Sequence, residues 1–154
     1  MMINNDILRM FRYAMEIGDA KVSAVFALAG RDVDEKMVRE FLKKEDEEGY
    51  VELDNSLMEA FLDGFILHER GAREGGGKPA PKEALTNNVI LKKLRIGLNF
   101  KEAEMMEIFR LAGKDVSKAM LSALFRKKGH KNYKECGDQF LRNFLKGLAL
   151  RYRG

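Results

Sequence analysis

Few residues in this chain carry the chemistry from which active sites are built, and those few are poorly spaced for it. The histidines are His68 and His130, and Cys136 is the single cysteine. No C-x-x-C, H-x-x-x-H or H-E-x-x-H pairing joins them, so no metal site is expected. Gly75, Gly76 and Gly77 precede Lys78, which invites comparison with a phosphate-binding loop. The spacing rules that out: Ala72 stands where G-x-x-x-x-G-K needs its first glycine, and Pro79 replaces the hydroxyl residue that would hold magnesium. Glu45, Asp46, Glu47 and Glu48 form a carboxylate run in a polar stretch, which reads as a solvated surface rather than a general acid and base. The expectation is a protein without enzyme activity, metal or cofactor.

The charged runs suit recognition better than catalysis. Arg126, Lys127, Lys128, His130, Lys131 and Lys134, with Tyr133 among them, make a basic run with an aromatic of the kind phosphate contacts require. The stretch before it, from Met105 through Gly113 and Ser117 to Lys128, has the look of a helix-turn-helix. Its spacing departs from that pattern. Lys114 follows the glycine where an apolar residue belongs, Ser122 falls where the recognition helix should be apolar, and the basic cluster lies at the helix C-terminus. The run Glu45–Glu48 is the candidate acidic face for a basic partner.

Both runs sit at the same place in a duplicated segment. Residues 4–71, shifted by 83, land without a gap on residues 87–154 and match at 22 of 68 positions. An ungapped match of that length marks a repeated unit. Glu45-Asp46-Glu47-Glu48 aligns with Lys128-Gly129-His130-Lys131, so the copies differ most in charge where a shared tyrosine, Tyr50 or Tyr133, follows. Residues 1–71 hold 9 basic and 16 acidic groups, a net −7, whereas residues 86–154 hold 16 and 6, a net +10. One apolar pattern therefore carries opposite surface potentials.

Four helices per copy must position these runs, and the class is all-α, two tandem copies with helix-turn-helix-like connections packed on each other. The first helix is expected over residues 5–17, with an asparagine as N-cap, Ile7, Leu8, Phe11, Met15 and Tyr13 on its apolar side, and Gly18 as its end. Asp19 is the expected cap of a second helix reaching Ala29, closed by a left-handed Gly30 and repeated at Gly113. Asp34 and Ser117 cap the third helix, where Val33 with Val38 and Val116 with Leu121 form a hydrophobic staple twice. That helix is expected to end near Lys44, and in the second copy at Lys128. The fourth begins near Asp54, and Gly64 and Gly147 interrupt it at the same place, which predicts a close helix crossing. Arg12 with Asp32 and Arg95 with Asp115 are expected to bridge each first helix to the turn before the third. Residues 72–85, rich in Gly and Pro, read as a linker between an acidic repeat over 1–71 and a basic repeat over 86–154.

A single copy of about 70 residues is marginal alone, so the two are expected to share a core. Asp6, Arg9, Arg12, Glu16 and Asp19 break any apolar run in the first 20 residues, which excludes a signal-peptide core and a membrane span there. With one cysteine no internal disulfide forms, and a reducing, cytoplasmic setting is the expectation. Cys136 aligns with Leu53 and reads as a small buried hydrophobe, with Lys131 and Lys134 near enough to lower its pKa as the alternative.

The opening Asn4-Asn5-Asp6-Ile7-Leu8-Arg9, the segment Phe26-Ala27-Leu28-Ala29-Gly30, Phe41-Leu42-Lys43-Lys44-Glu45-Asp46, and Phe61-Leu62-Asp63-Gly64, echoed in the second half, resemble the YehS-like family of bacterial proteins. The resemblance spans the chain outside the linker and includes its tandem arrangement. It implies a bacterial, cytoplasmic helical protein and brings no catalytic residues with it. Two functions stay open from the residues: recognition of a protein partner or a second copy, and nucleic-acid binding through the second repeat.

Overall fold

The computed structural model describes residues 2–71 and 84–154, so most of the expected linker, 72–83, lies outside the described residues. Among the described residues there are eight helices and no strand. They are α1 (Asn4–Met15), α2 (Asp19–Leu28), α3 (Glu35–Leu42), α4 (Asn55–Arg70), α5 (Asn87–Leu98), α6 (Glu102–Leu111), α7 (Lys118–Phe125) and α8 (Asp138–Arg153). The offset of 83 reproduces every boundary of the first copy in the second.

Local chemistry explains most of those boundaries. The Asp34 side chain accepts from the Met37 N–H at 2.8 Å and Ser117 from Met120 at 3.1 Å, each satisfying an otherwise orphan donor of the first turn. The staple residues Val33, Val38, Val116 and Leu121 are all buried beside these caps. Gly30 and Gly113 take φ of 78° and 82°, as a left-handed residue after a helix should.

Four boundaries differ from expectation. Ile3, not an asparagine, holds the N-cap position of α1 and makes no side-chain cap, because the helix begins one residue early and takes Asn4 and Asn5 into its first turn. Gly18 does not end that helix. The left-handed residue is Glu16 at φ 54°, matched by Asn99 at 58°, and Gly18 is instead the N-cap residue of α2, with Asp19 inside its first turn. The third helix of each copy stops early, at Leu42 and Phe125, so Arg126, Lys127 and Lys128 lie in the loop beyond it. The cause is competition for its last carbonyls: Val51 N–H takes the Glu40 oxygen at 3.3 Å and Lys134 N–H takes that of Ala123 at 3.0 Å.

Packing joins the copies into one core. Within each copy the last helix crosses the second, α4 on α2 and α8 on α6, at the two interior glycines. A Cβ added at Gly64 would lie 2.0 Å from the Val25 carbonyl oxygen, and at Gly147 2.1 Å from that of Ile108. Between copies α1 packs on α8 and α4 on α5, so exchanging the copies maps one seam onto the other, as an internal twofold does. Phe11 meets Phe61 and Phe65 edge-on, with centroids 6.1 and 5.0 Å apart, and one cluster of buried side chains runs through both copies. Of the expected stripe of α1, Tyr13 is out of the core, 56% exposed beneath the Arg153 guanidinium.

The seams also fix direction. Arg153 at the end of α8 donates to the Tyr13 carbonyl at 3.1 Å and pairs with Glu16 at 3.4 Å, at the end of α1. Arg70 at the end of α4 repeats this, reaching the Ile96 carbonyl at 3.3 Å and Asn99 Oδ1 at 3.2 Å at the end of α5. At the other end Asn4 bonds Asn55, Asn87 bonds Asp138, and the Met2 backbone bonds Asp138. So α1, α4, α5 and α8 run the same way, with their N-termini together. Their dipoles add, and arginine at the C-terminal ends is the complementary charge.

Candidate interaction surface

The end of the bundle that gathers four helix N-termini also carries both charged loops. Each loop is held by a pair of asparagines on the first helix of its copy. Asn5 Nδ2 donates to the Phe41 and Val51 carbonyls at 3.0 and 2.8 Å, while its Oδ1 accepts from Leu53 N–H at 2.9 Å. Asn88 does the same with Leu124, Lys134 and Cys136 at 2.9, 2.8 and 2.8 Å. Asn4 and Asn87 add bonds to the Leu53 and Cys136 carbonyls at 3.0 and 3.1 Å. All four asparagines are buried, and nothing in the sequence beyond their repetition pointed to them as loop tethers.

Inside the loops the backbone follows one path twice. Glu47 N–H bonds the Lys44 carbonyl and Tyr50 N–H that of Glu47; His130 N–H bonds Lys127 and Tyr133 N–H bonds His130. The aligned side chains of Glu47 and His130 both serve the turn: Glu47 Oε1 accepts from Lys44 N–H at 3.2 Å, and His130 Nδ1 from Asn132 N–H at 3.0 Å. Tyr50 and Tyr133 are half-buried under these turns, and burial raises the pKa of both phenols.

On this shared frame the charges are opposite. Glu45, Asp46, Glu47 and Glu48 are exposed in the first copy, and Arg126, Lys127, Lys128, His130, Lys131 and Lys134 are exposed in the second. Lys134 is the member held to the body of the protein, its ammonium 5.9 Å from the centre of the Phe140 ring. The acidic loop is tied to the start of α1, whose neighbouring Met2 bonds the first residue of α8, and α8 begins where the basic loop ends. The two candidate sets therefore share one end of the molecule, on either side of the internal twofold.

Other candidates fall away from it. Cys136 is buried, and burial, with Asp138 and Glu135 adding to it, pushes its thiol up to about 12, the opposite of lysine activation. His68 is exposed beside Glu69 on α4. The expected Arg–Asp bridges do not form: Arg12 bonds Asp19 at 3.2 Å, while Arg95 bonds the Phe100 carbonyl at 3.0 Å and lies 4.7 Å from the Phe125 ring centre. The left-handed residue after each first helix brings the next helix start within reach first. Among the described residues no cluster of three or more His, Cys, Asp or Glu side chains could hold a metal ion, and no helix is long and apolar enough to cross a membrane.

Comparison with known proteins agrees with the duplication. A family profile described as protein of unknown function (DUF1456) matches twice, over residues 4–71 and 87–154. The chain is similar to the uncharacterized protein YehS of Escherichia coli (strain K12), 37% identical over 150 residues that cover 97% of this chain and 96% of that one. No solved structure matches.

Proposed function

The chain belongs to the family described as protein of unknown function (DUF1456), carrying its repeat twice, and we propose that it is a protein-interaction module that docks through the bipolar end of the bundle. It acts by surface recognition rather than by catalysis. The observation that carries this reading is one loop backbone presented twice at one end, once with four exposed acids and once with the basic run. Opposed charges side by side select a partner of opposite pattern and orient it, which a uniform patch does not do. A second copy of the chain fits by construction. Turned over about an axis between the loops, it sets its basic loop on the acidic loop and its acidic loop on the basic one.

The exposed basic run also supports a second reading, contact with nucleic-acid phosphates. Its neighbour weakens it, because a polyanion crossing this end meets Glu45–Glu48 as well. Light scattering at low and high salt and titration with a labelled oligonucleotide separate the two. The interaction reading expects an association that is lost as salt rises and only feeble oligonucleotide binding at low salt. Tight oligonucleotide binding with a steep salt slope, abolished by charge reversal at Lys127, Lys128 and Lys131, would replace it with the second.

A further inference from the structure

The two seams of the molecule use aligned positions but are not filled alike. Between α4 and α5, Lys93 pairs with Asp63, and the Phe65 ring lies so close to Gly97 that an added Cβ would sit 2.5 Å from it. The aligned positions between α1 and α8 are Met10 and Lys146, and Ala14 and Leu148. With methionine in place of the lysine, no ion pair forms at these positions; the pair of this seam, Arg153 with Glu16, lies at its C-terminal end, and Lys146 stays exposed with no ion-pair partner among the described residues.

A groove of about 500 Å³ remains there. Its walls hold three cations, Arg9, Arg142 and Lys146, and no carboxylate. Arg9 is partly neutralised by Asp6, and Arg142, exposed on α8, feels the Asp138 carboxylate one turn earlier without a direct ion pair among the described residues. The apolar part of its lining comes from Met10, Tyr13, Leu145 and Ala149. Asn143 adds a buried polar side chain where the first copy has Ala60, its Oδ1 accepting from Gln139 at 3.1 Å. The volume is in the range of small-molecule pockets, and an apolar floor with a few polar groups at the rim is their usual make-up.

We propose that the groove between α1 and α8 binds a small amphiphilic anion, an apolar body ending in a carboxylate, sulfonate or phosphate ester. The apolar part displaces water from Met10, Tyr13 and Leu145, and the anionic head sits between Arg142 and Lys146. At the other seam the Lys93–Asp63 pair and the Phe65 ring occupy the aligned positions, so this lining is a departure from the repeat rather than a property of it. This site lies on the flank of the bundle and does not depend on docking at its end.

The test uses the full chain and the probe 8-anilinonaphthalene-1-sulfonate, followed by fluorescence and by amide shifts in nuclear magnetic resonance. One saturable site is expected, with the shifts confined to residues 9–13 and 139–149. Copying the closed seam with Met10→Lys and Lys146→Asp should weaken binding at least tenfold while circular dichroism stays unchanged. Arg142→Glu, an exposed substitution that spares the fold, should weaken it several-fold, and Lys118→Glu on the distant α7 should leave it within twofold. Absence of saturable binding overturns the proposal. So do shifts centred elsewhere, or Arg142→Glu and the double variant both binding within twofold of the natural chain.

Discussion

Gly64 and Gly147 show how a single residue type decides the distance between helices. Glycine inside a helix costs about 1 kcal/mol against alanine, so propensity alone predicts that Gly64→Ala would stabilise the protein. The Val25 carbonyl 2.0 Å from the new carbon reverses the sign, since the backbones of α2 and α4 must part to admit it. Denaturant unfolding of Gly64→Ala or Gly147→Ala should show a loss of about 1–3 kcal/mol, and a gain would remove the close crossing from the account. Both glycines were legible in the sequence because they recur at one offset in an otherwise helical pattern. Cys136 was legible in the same way, through its alignment with Leu53. Its raised pKa carries a further consequence. The folded state keeps the thiol protonated where the unfolded chain, near its ordinary value of about 8.5, has released the proton. Stability linked to this group is therefore whole below about 8.5 and falls as pH rises toward about 12. Iodoacetamide at pH 8 should leave the native thiol unmodified and label it on unfolding; fast labelling of the native protein would contradict its burial.

Helix boundaries separate what neighbours in sequence decide from what distant residues decide. The Asp34 and Ser117 caps and their staples depend on residues within four positions, and they stand where the pattern placed them. The end of α3 and the path of the loop after it depend on the Val51 N–H, which takes the Glu40 carbonyl, and on one asparagine, Asn5, that bonds Phe41, Val51 and Leu53 from up to 48 residues away. No local signal announces that an asparagine will be used so far along the chain, and as a cap it would have looked the same. The Arg12 bridge failed for a related reason, since its partner was set by where α2 begins and not by which aspartate recurs in both copies. Asn88→Ala strips the buried Leu124 carbonyl, the part-buried Lys134 carbonyl and the Cys136 N–H of their partner, and should cost roughly 2–4 kcal/mol. Hydrogen exchange checks the assignment: the Cys136 amide should lose protection ahead of α5 itself, and an unchanged rate at Cys136 would mean that the loop is held by something else.

At the scale of the whole molecule, the two copies share one core. The seams of α1 on α8 and α4 on α5 exist only between copies, so residues 1–71 expressed alone should be largely unfolded or self-associated, and mixing with residues 84–154 should restore helicity. Recovery of a compact, monomeric single copy would contradict that dependence. The repeat and the charge contrast were open to inspection in the sequence. The parallel run of four helices, which brings the two loops to one end, was not, because it rests on cross-copy contacts such as Arg70 with Asn99 and Arg153 with Glu16. The proposed docking surface rests on that placement. It is tested most directly by a pair of charge-swapped chains, one with Glu45, Asp46, Glu47 and Glu48 changed to Lys and one with Lys127, Lys128, Lys131 and Lys134 changed to Glu. In sedimentation at low salt, the natural chain should associate, each swapped chain alone should be monomeric, and an equimolar mixture of the two should associate again. Monomers throughout, or association of each swapped chain by itself, would contradict the bipolar end as the surface through which this protein binds.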